Sequence, residues 1–130
     1  MKKFVIALSL ATIPFASTPS HAVVALSGPA AHITGFATPV VVVPSGGPLT
    51  EVNLDPIFPH DFVASDATRP NITGSWCVGY PEGTCPLFWS PLIGVGESAP
   101  VQGLEGLPIG KRYNFTCTLH TGMRGILVIA

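Results

Sequence analysis

Apolar positions in this chain come in short runs, broken every few residues by Gly or Pro. Val40 to Val43 is β-branched throughout and reads as a buried strand, closed by the turn cluster Pro44-Ser45-Gly46-Gly47-Pro48. Leu49 to Leu54 alternates loosely and predicts a second strand, followed by a proline-bounded loop, Asp55 to Pro59. His60 to Ala64 predicts another, with His60, Phe62 and Ala64 on one face. Leu87 to Ser90 and Ala99 to Gln102 predict short strands. Lys111 to Thr116 alternates cleanly, so that Tyr113, Phe115 and Cys117 share one face and Arg112, Asn114 and Thr116 the other. Ile126 to Ile129 reads as a final strand, and the small apolar segment Val23 to Ala31 as a lead-in. After residue 22 the longest runs free of Gly and Pro are 111–121 and 60–69. An average helix takes about 11–12 residues, so almost no helix fits. Many short strands at turn-punctuated intervals imply an all-β antiparallel sandwich or barrel.

Composition sharpens this picture. Gly and Pro are 14 each of 130 residues, about twice their ordinary share. Thirteen of them fall within 71–110, an irregular region with few strands. A hydrophobic content of 47% with a net charge of −1 excludes a strongly disordered chain. Six Lys/Arg against seven Asp/Glu exclude a nucleic-acid binder by charge. The length suits one ordinary domain.

Met1-Lys2-Lys3 is a cationic start, Phe4 to Leu10 an apolar stretch, and Ser20-His21-Ala22 offers small residues before a cleavage point. This is a secretory signal-peptide pattern over residues 1–22. The mature domain would run from Val23 to Ala130 with a net charge of −3, since Lys2 and Lys3 leave with the leader. No later run has the ~20 apolar residues of a spanning helix. The expected location is periplasmic or secreted, with no membrane insertion of the mature chain.

The chain has three cysteines. An odd count in a secreted protein flags one thiol with another use. Cys77 and Cys85 flank a turn-rich segment, and their pairing is expected to form a disulfide. Cys117 is then left over. Cys117-Thr118-Leu119-His120-Thr121-Gly122-Met123 places a thiol, an imidazole and a thioether within seven residues, just past a strand. Thiolate and thioether together favour copper, especially Cu(I), over Mg, Ca or Mn. Two His, one Cys and a weak axial Met form the electron-transfer geometry of copper. His60 is the candidate for the second His. The Cys and His donors also suit zinc, with the thioether then unused. His32 has no evident partner and is expected to face solvent. No nucleophilic triad, paired-carboxylate site or phosphate loop appears.

The segment Tyr113-Asn114-Phe115-Thr116-Cys117-Thr118-Leu119-His120-Thr121-Gly122-Met123-Arg124-Gly125-Ile126-Leu127-Val128 resembles the C-terminal copper loop of the cupredoxins, with an amicyanin-like Cys-x2-His-x2-Met spacing. Asn53-Leu54-Asp55 followed by Pro59-His60-Asp61-Phe62-Val63 resembles the segment that carries their first His ligand. The resemblance implies a Greek-key β-sandwich holding one copper ion. It implies His60, Cys117 and His120 as equatorial ligands and Met123 as the axial one. Where the family often has Asn after the first His, this chain has Asp61, which can accept from the Thr118 hydroxyl or backbone and alter the potential. Glu51 stands where the family strand is often apolar and is expected on the solvent face. Ile57, Phe58, Pro59, Leu119 and Gly122 are expected to form an apolar collar around His120 that docks transient redox partners. The implied function is a monomeric one-electron carrier, not an enzyme. The alternative is a copper-binding or delivery module, for which one Met and three His in the mature chain are few.

Overall fold

The computed structural model describes residues 23–70, 77 and 83–130, so the expected leader at 1–22 lies outside the described residues. Among the described residues, nine strands and one helical turn run in the order β1 (Val23–Ser27), α1 (Ala31–Thr34), β2 (Val40–Val43), β3 (Leu49–Asn53), β4 (Val63–Ala64), β5 (Thr68–Pro70), β6 (Thr84–Pro86), β7 (Ser98–Pro100), β8 (Arg112–Thr116) and β9 (Arg124–Ile129). They form a three-stranded sheet β1-β3-β7, a four-stranded sheet β2-β9-β8-β4 and a two-stranded ribbon β5-β6. The fold is almost entirely β.

The expectation of antiparallel pairing holds only in part. β1 runs parallel to β3, with Val23 opposite Leu49, and β2 parallel to β9, with Val40 opposite Ile126. β1 to β4 therefore alternate between the two larger sheets, while β5–β6 and β8–β9 pair as consecutive antiparallel strands. The segment read as a lead-in is strand β1. Its small residues Ala25 and Ser27 are buried, and they give no apolar signal strong enough to mark a core face. The strand expected over 60–64 shrinks to β4, which meets β8 at Val63–Thr116 and Ala64–Phe115. Residues 60–64 are all buried, so no alternation shows there. The strand expected at 99–102 is β7, which starts one residue earlier, whereas the one expected at 87–90 is no strand: β6 ends at Pro86, and Trp89 makes only isolated bridges to Val63 and Gln102.

The core between the sheets is aromatic. Phe62 and Phe115 stack with ring centroids 4.0 Å apart, and Phe36 meets Phe115 edge-on at 4.9 Å. Such pairs add about 0.5–1.5 kcal/mol beyond the area they bury. Phe115 has room because its partner across the β8–β9 hairpin is Gly125. A Cβ at Gly125 would fall into the Phe115 ring and lie 2.5 Å from the Pro39 carbonyl oxygen. The hairpin closes tightly here, and the loop 117–123 at its tip is held against the core. The Cys77–Cys85 disulfide is present, with Cα atoms 5.3 Å apart.

Candidate metal centre

Cys117 follows the last residue of β8 and is buried, as the alternation of that strand requires. The loop after it is closed by its own backbone. The Met123 amide donates to the His120 carbonyl at 2.9 Å, and the Cys117 amide to the Met123 carbonyl at 3.1 Å. The Thr116 hydroxyl also donates to the Met123 carbonyl, at 2.9 Å. These bonds turn Cys117, His120 and Met123 into one compact knot. Met123 is buried at its end.

His60 arrives from the other side of the fold. Its backbone exchanges two hydrogen bonds with Ile93, at 3.1 and 2.8 Å. Its side chain is fully buried, with Nδ1 3.7 Å from Cys117 Sγ and Nε2 2.9 Å from Asp55 Oδ2. His120 Nδ1 is also 3.7 Å from Cys117 Sγ. The sulfur and one nitrogen from each ring lie within 4.8 Å of one another. A first-row ion such as zinc sits about 2.3 Å from sulfur and 2.0 Å from imidazole nitrogen. Tetrahedral or trigonal angles then put S and N about 3.5–3.7 Å apart, and both separations found are 3.7 Å. The three donors thus fit a single ion, and a set that adds the buried Met123 of the same loop suits copper better than zinc.

Protonation follows from the surroundings. Asp55 accepts from the Ile57 and Phe58 amides on Oδ1 and is shared by His60 and His32 on Oδ2. Burial opposes its ionisation, but the hydrogen bonds from His60, His32 and the two amides outweigh it and hold the carboxyl well below the usual range. An ionised Asp55 only accepts, so the His60 proton sits on Nε2 and the Nδ1 lone pair faces Cys117. Burial pushes His120 down from its ordinary value, helped by His60 and His32 nearby. Burial pushes the Cys117 thiol up to about 11 in the metal-free protein. A bound cation inverts that preference, since a coordinating thiol is deprotonated.

Asp61 accepts the Thr118 amide on Oδ1 at 2.7 Å and the Thr118 hydroxyl on Oδ2. This bond pair ties the segment after His60 to the residue after Cys117. Around His120, the Phe58 ring packs edge-on at 5.6 Å between centroids. Ile57, Leu119 and Gly122 are exposed and Pro59 is half-buried on the same two loops. A cleft beside Cys117, lined by Ser65, Asp66, Asn114, Phe115, Thr121 and Arg124, mixes polar and apolar surface.

Three residues depart from the sequence reading. His32 is not a free surface group: its Nδ1 lies 2.9 Å from Asp55, and its ring is 4.5 Å from Phe58. Glu51 is not on the solvent face. Leu49, Glu51 and Asn53 all point inward on β3, and the Ser27 hydroxyl donates to Glu51 Oε1. Asp55 joins the site although the sequence reading gives it no role of its own, and the sequence does carry a signal for it. Asp before Pro, two residues after Asn, is an Asx-turn pattern, and the Asp55 amide indeed donates to Asn53 Oδ1 at 2.9 Å.

No family model and no curated protein matches the chain in sequence. Solved structures do match. A mutant of amicyanin in the Cu(I) form is 17% identical with a TM-score of 0.54, and the match covers 88% of each chain. A purple cupredoxin from Nitrosopumilus maritimus is 16% identical with a TM-score of 0.57, over 82% of this chain and 98% of that one. A copper-containing nitrite reductase from Thermus scotoductus is 21% identical with a TM-score of 0.55, over 84% of this chain but only 22% of the enzyme.

Proposed function

The chain has the cupredoxin fold and a donor set that fits one copper ion, and on that premise we propose that it is a type 1 copper protein carrying single electrons between redox partners. The observation that carries this is the convergence of Cys117 Sγ with the Nδ1 atoms of His60 and His120, from segments 57 residues apart. His60, Cys117 and His120 are the proposed equatorial ligands and Met123 the axial one. Copper bound there supplies a one-electron Cu(II)/Cu(I) couple.

The protein's part is to keep one geometry through both states. His60 is fixed by its backbone pair with Ile93 and by Asp55 on Nε2. Cys117 is fixed by the Met123 carbonyl, and the loop beyond it by Asp61 through Thr118. A frame held from several sides changes little when the charge at its centre changes. Half-buried His120 is the electron port. Ile57, Phe58, Pro59, Leu119 and Gly122 form the apolar collar that excludes water and meets a partner over a small, transient contact. Four side-chain donors leave no open position for a substrate, which supports a carrier over an enzyme. The leader pattern at 1–22 supports a periplasmic or secreted site of action, and the lean count of Met and His supports a carrier over a delivery module. No described helix is long and apolar enough to cross a membrane.

Absorption and EPR spectra of the Cu(II)-loaded protein test this reading. An intense visible thiolate band with the narrow copper hyperfine splitting of a type 1 site is expected. A colourless Cu(II) protein overturns it.

A further inference from the structure

One buried carboxylate oxygen serves two imidazoles. Asp55 Oδ2 lies 2.9 Å from His60 Nε2 and 2.9 Å from His32 Nδ1. Asp55 and His60 are fully buried, whereas the His32 side chain keeps 20% of its surface exposed. His32 stands on α1, a four-residue turn ended by Gly35, whose amide donates to the Ala31 carbonyl at 2.8 Å. It contacts none of the proposed ligands by hydrogen bond. Its ring lies 6.3 Å from that of His120 between centroids, and its hydrogen bond toward the centre is the one to Asp55.

Resting on the copper reading above, we propose that His32 is a positioning residue that sets how strongly His60 donates to the metal, by competing with it for the Asp55 oxygen. A carboxylate that accepts from a ligand imidazole raises the basicity of that ligand. When the same oxygen also accepts from His32, its negative charge is divided, and the pull on the His60 proton weakens. The Nδ1 lone pair of His60 is then a poorer donor. A poorer nitrogen donor favours Cu(I) over the more highly charged Cu(II). His32 therefore holds the reduction potential above the value that Asp55 and His60 would give by themselves. The arrangement also requires a specific tautomer. Both rings donate, so neutral His32 carries its proton on Nδ1 while His60 carries its own on Nε2.

Two variants of the full chain separate this from a packing role. His32→Leu keeps apolar bulk against Phe58 and removes the donor. His32→Asn restores an N–H at the position of Nδ1. In the copper-loaded protein, His32→Leu is expected to shift the Cu(II)/Cu(I) partition about tenfold toward Cu(II), a potential lower by about 59 mV for one electron. His32→Asn is expected to stay within about threefold of the parent. An unchanged or raised potential in His32→Leu, or an equal shift in both variants, overturns the proposal. Nitrogen-15 NMR of the metal-free parent gives a second reading that needs no variant to fold. It should show His32 protonated on Nδ1 and His60 on Nε2, and a neutral His32 protonated on Nε2 overturns the proposal. If the parent binds copper without the thiolate band, the type 1 reading fails, and the tautomers still decide whether His32 and His60 share Asp55.

Discussion

At the scale of single residues, two side chains have effects that can be worked out in sign. Met123 is the proposed axial donor, and a weak axial ligand tunes the potential of such a site. Replacing it with leucine removes a donor that stabilises Cu(II) while keeping the core filled. Met123→Leu is expected to retain copper and raise the potential, measured by redox titration against the visible band. Glu51 is the second. Burial, opposed by the Ser27 hydrogen bond, pushes its carboxyl up from 4.5 to about 8. The folded protein therefore binds this proton more tightly than the unfolded chain does. Stability that is complete below about pH 4.5 is lost as pH rises through about 8, by up to about 1.4 kcal/mol per unit in that window. Glu51→Gln removes the charge to be buried. Its urea midpoint should fall less than that of the parent between pH 5 and 8, and parallel profiles would contradict the assignment.

At the scale of elements, the β8–β9 hairpin is the part most legible in the sequence. Alternation over Arg112–Thr116 placed Phe115 and Cys117 inward, and both are buried. The close approach of Phe115 to Gly125 was not legible, because it depends on which residues face each other across the hairpin. Gly125→Ala is expected to cost about 1–3 kcal/mol from overpacking, seen as a lower denaturant midpoint at unchanged m-value. Since the hairpin holds the 117–123 loop, the same variant should broaden or shift the copper spectrum. Strand β1 illustrates the opposite case. Its five residues carry only a weak pattern, and pairing with β3 makes it a strand. β4 is shorter than its sequence pattern predicts because His60 bridges to Ile93, and only Val63 and Ala64 pair with β8.

At the scale of the whole molecule, the fold is a mixed-sheet sandwich whose first four strands alternate between sheets, with the candidate centre where the 53–60 and 117–123 segments meet. The Cys77–Cys85 disulfide lies in the Gly- and Pro-rich stretch that the pattern of strands organises least. Closing a loop with a sequence separation of 8 removes unfolded-state entropy worth about 2–3 kcal/mol. Reduction is expected to lower the melting temperature by roughly 10 °C or more while leaving the copper spectrum unchanged, since neither cysteine is among the proposed ligands. A melting temperature insensitive to reductant would show that the crosslink is not closing an otherwise free loop.

The sequence by itself determined the β class, the absence of room for long helices, and the clustering of Cys117, His120 and Met123. These follow from neighbours a few residues apart, where periodicity and turn chemistry act directly. Only the tertiary structure decided that His60 joins Cys117 across 57 positions, that His32 meets Asp55 across 23, and that Glu51 is buried against Ser27 across 24. A polar side chain looks the same in sequence whether it meets water or a buried partner. Its burial is decided by strand order and register, which bring distant segments to the same few ångströms.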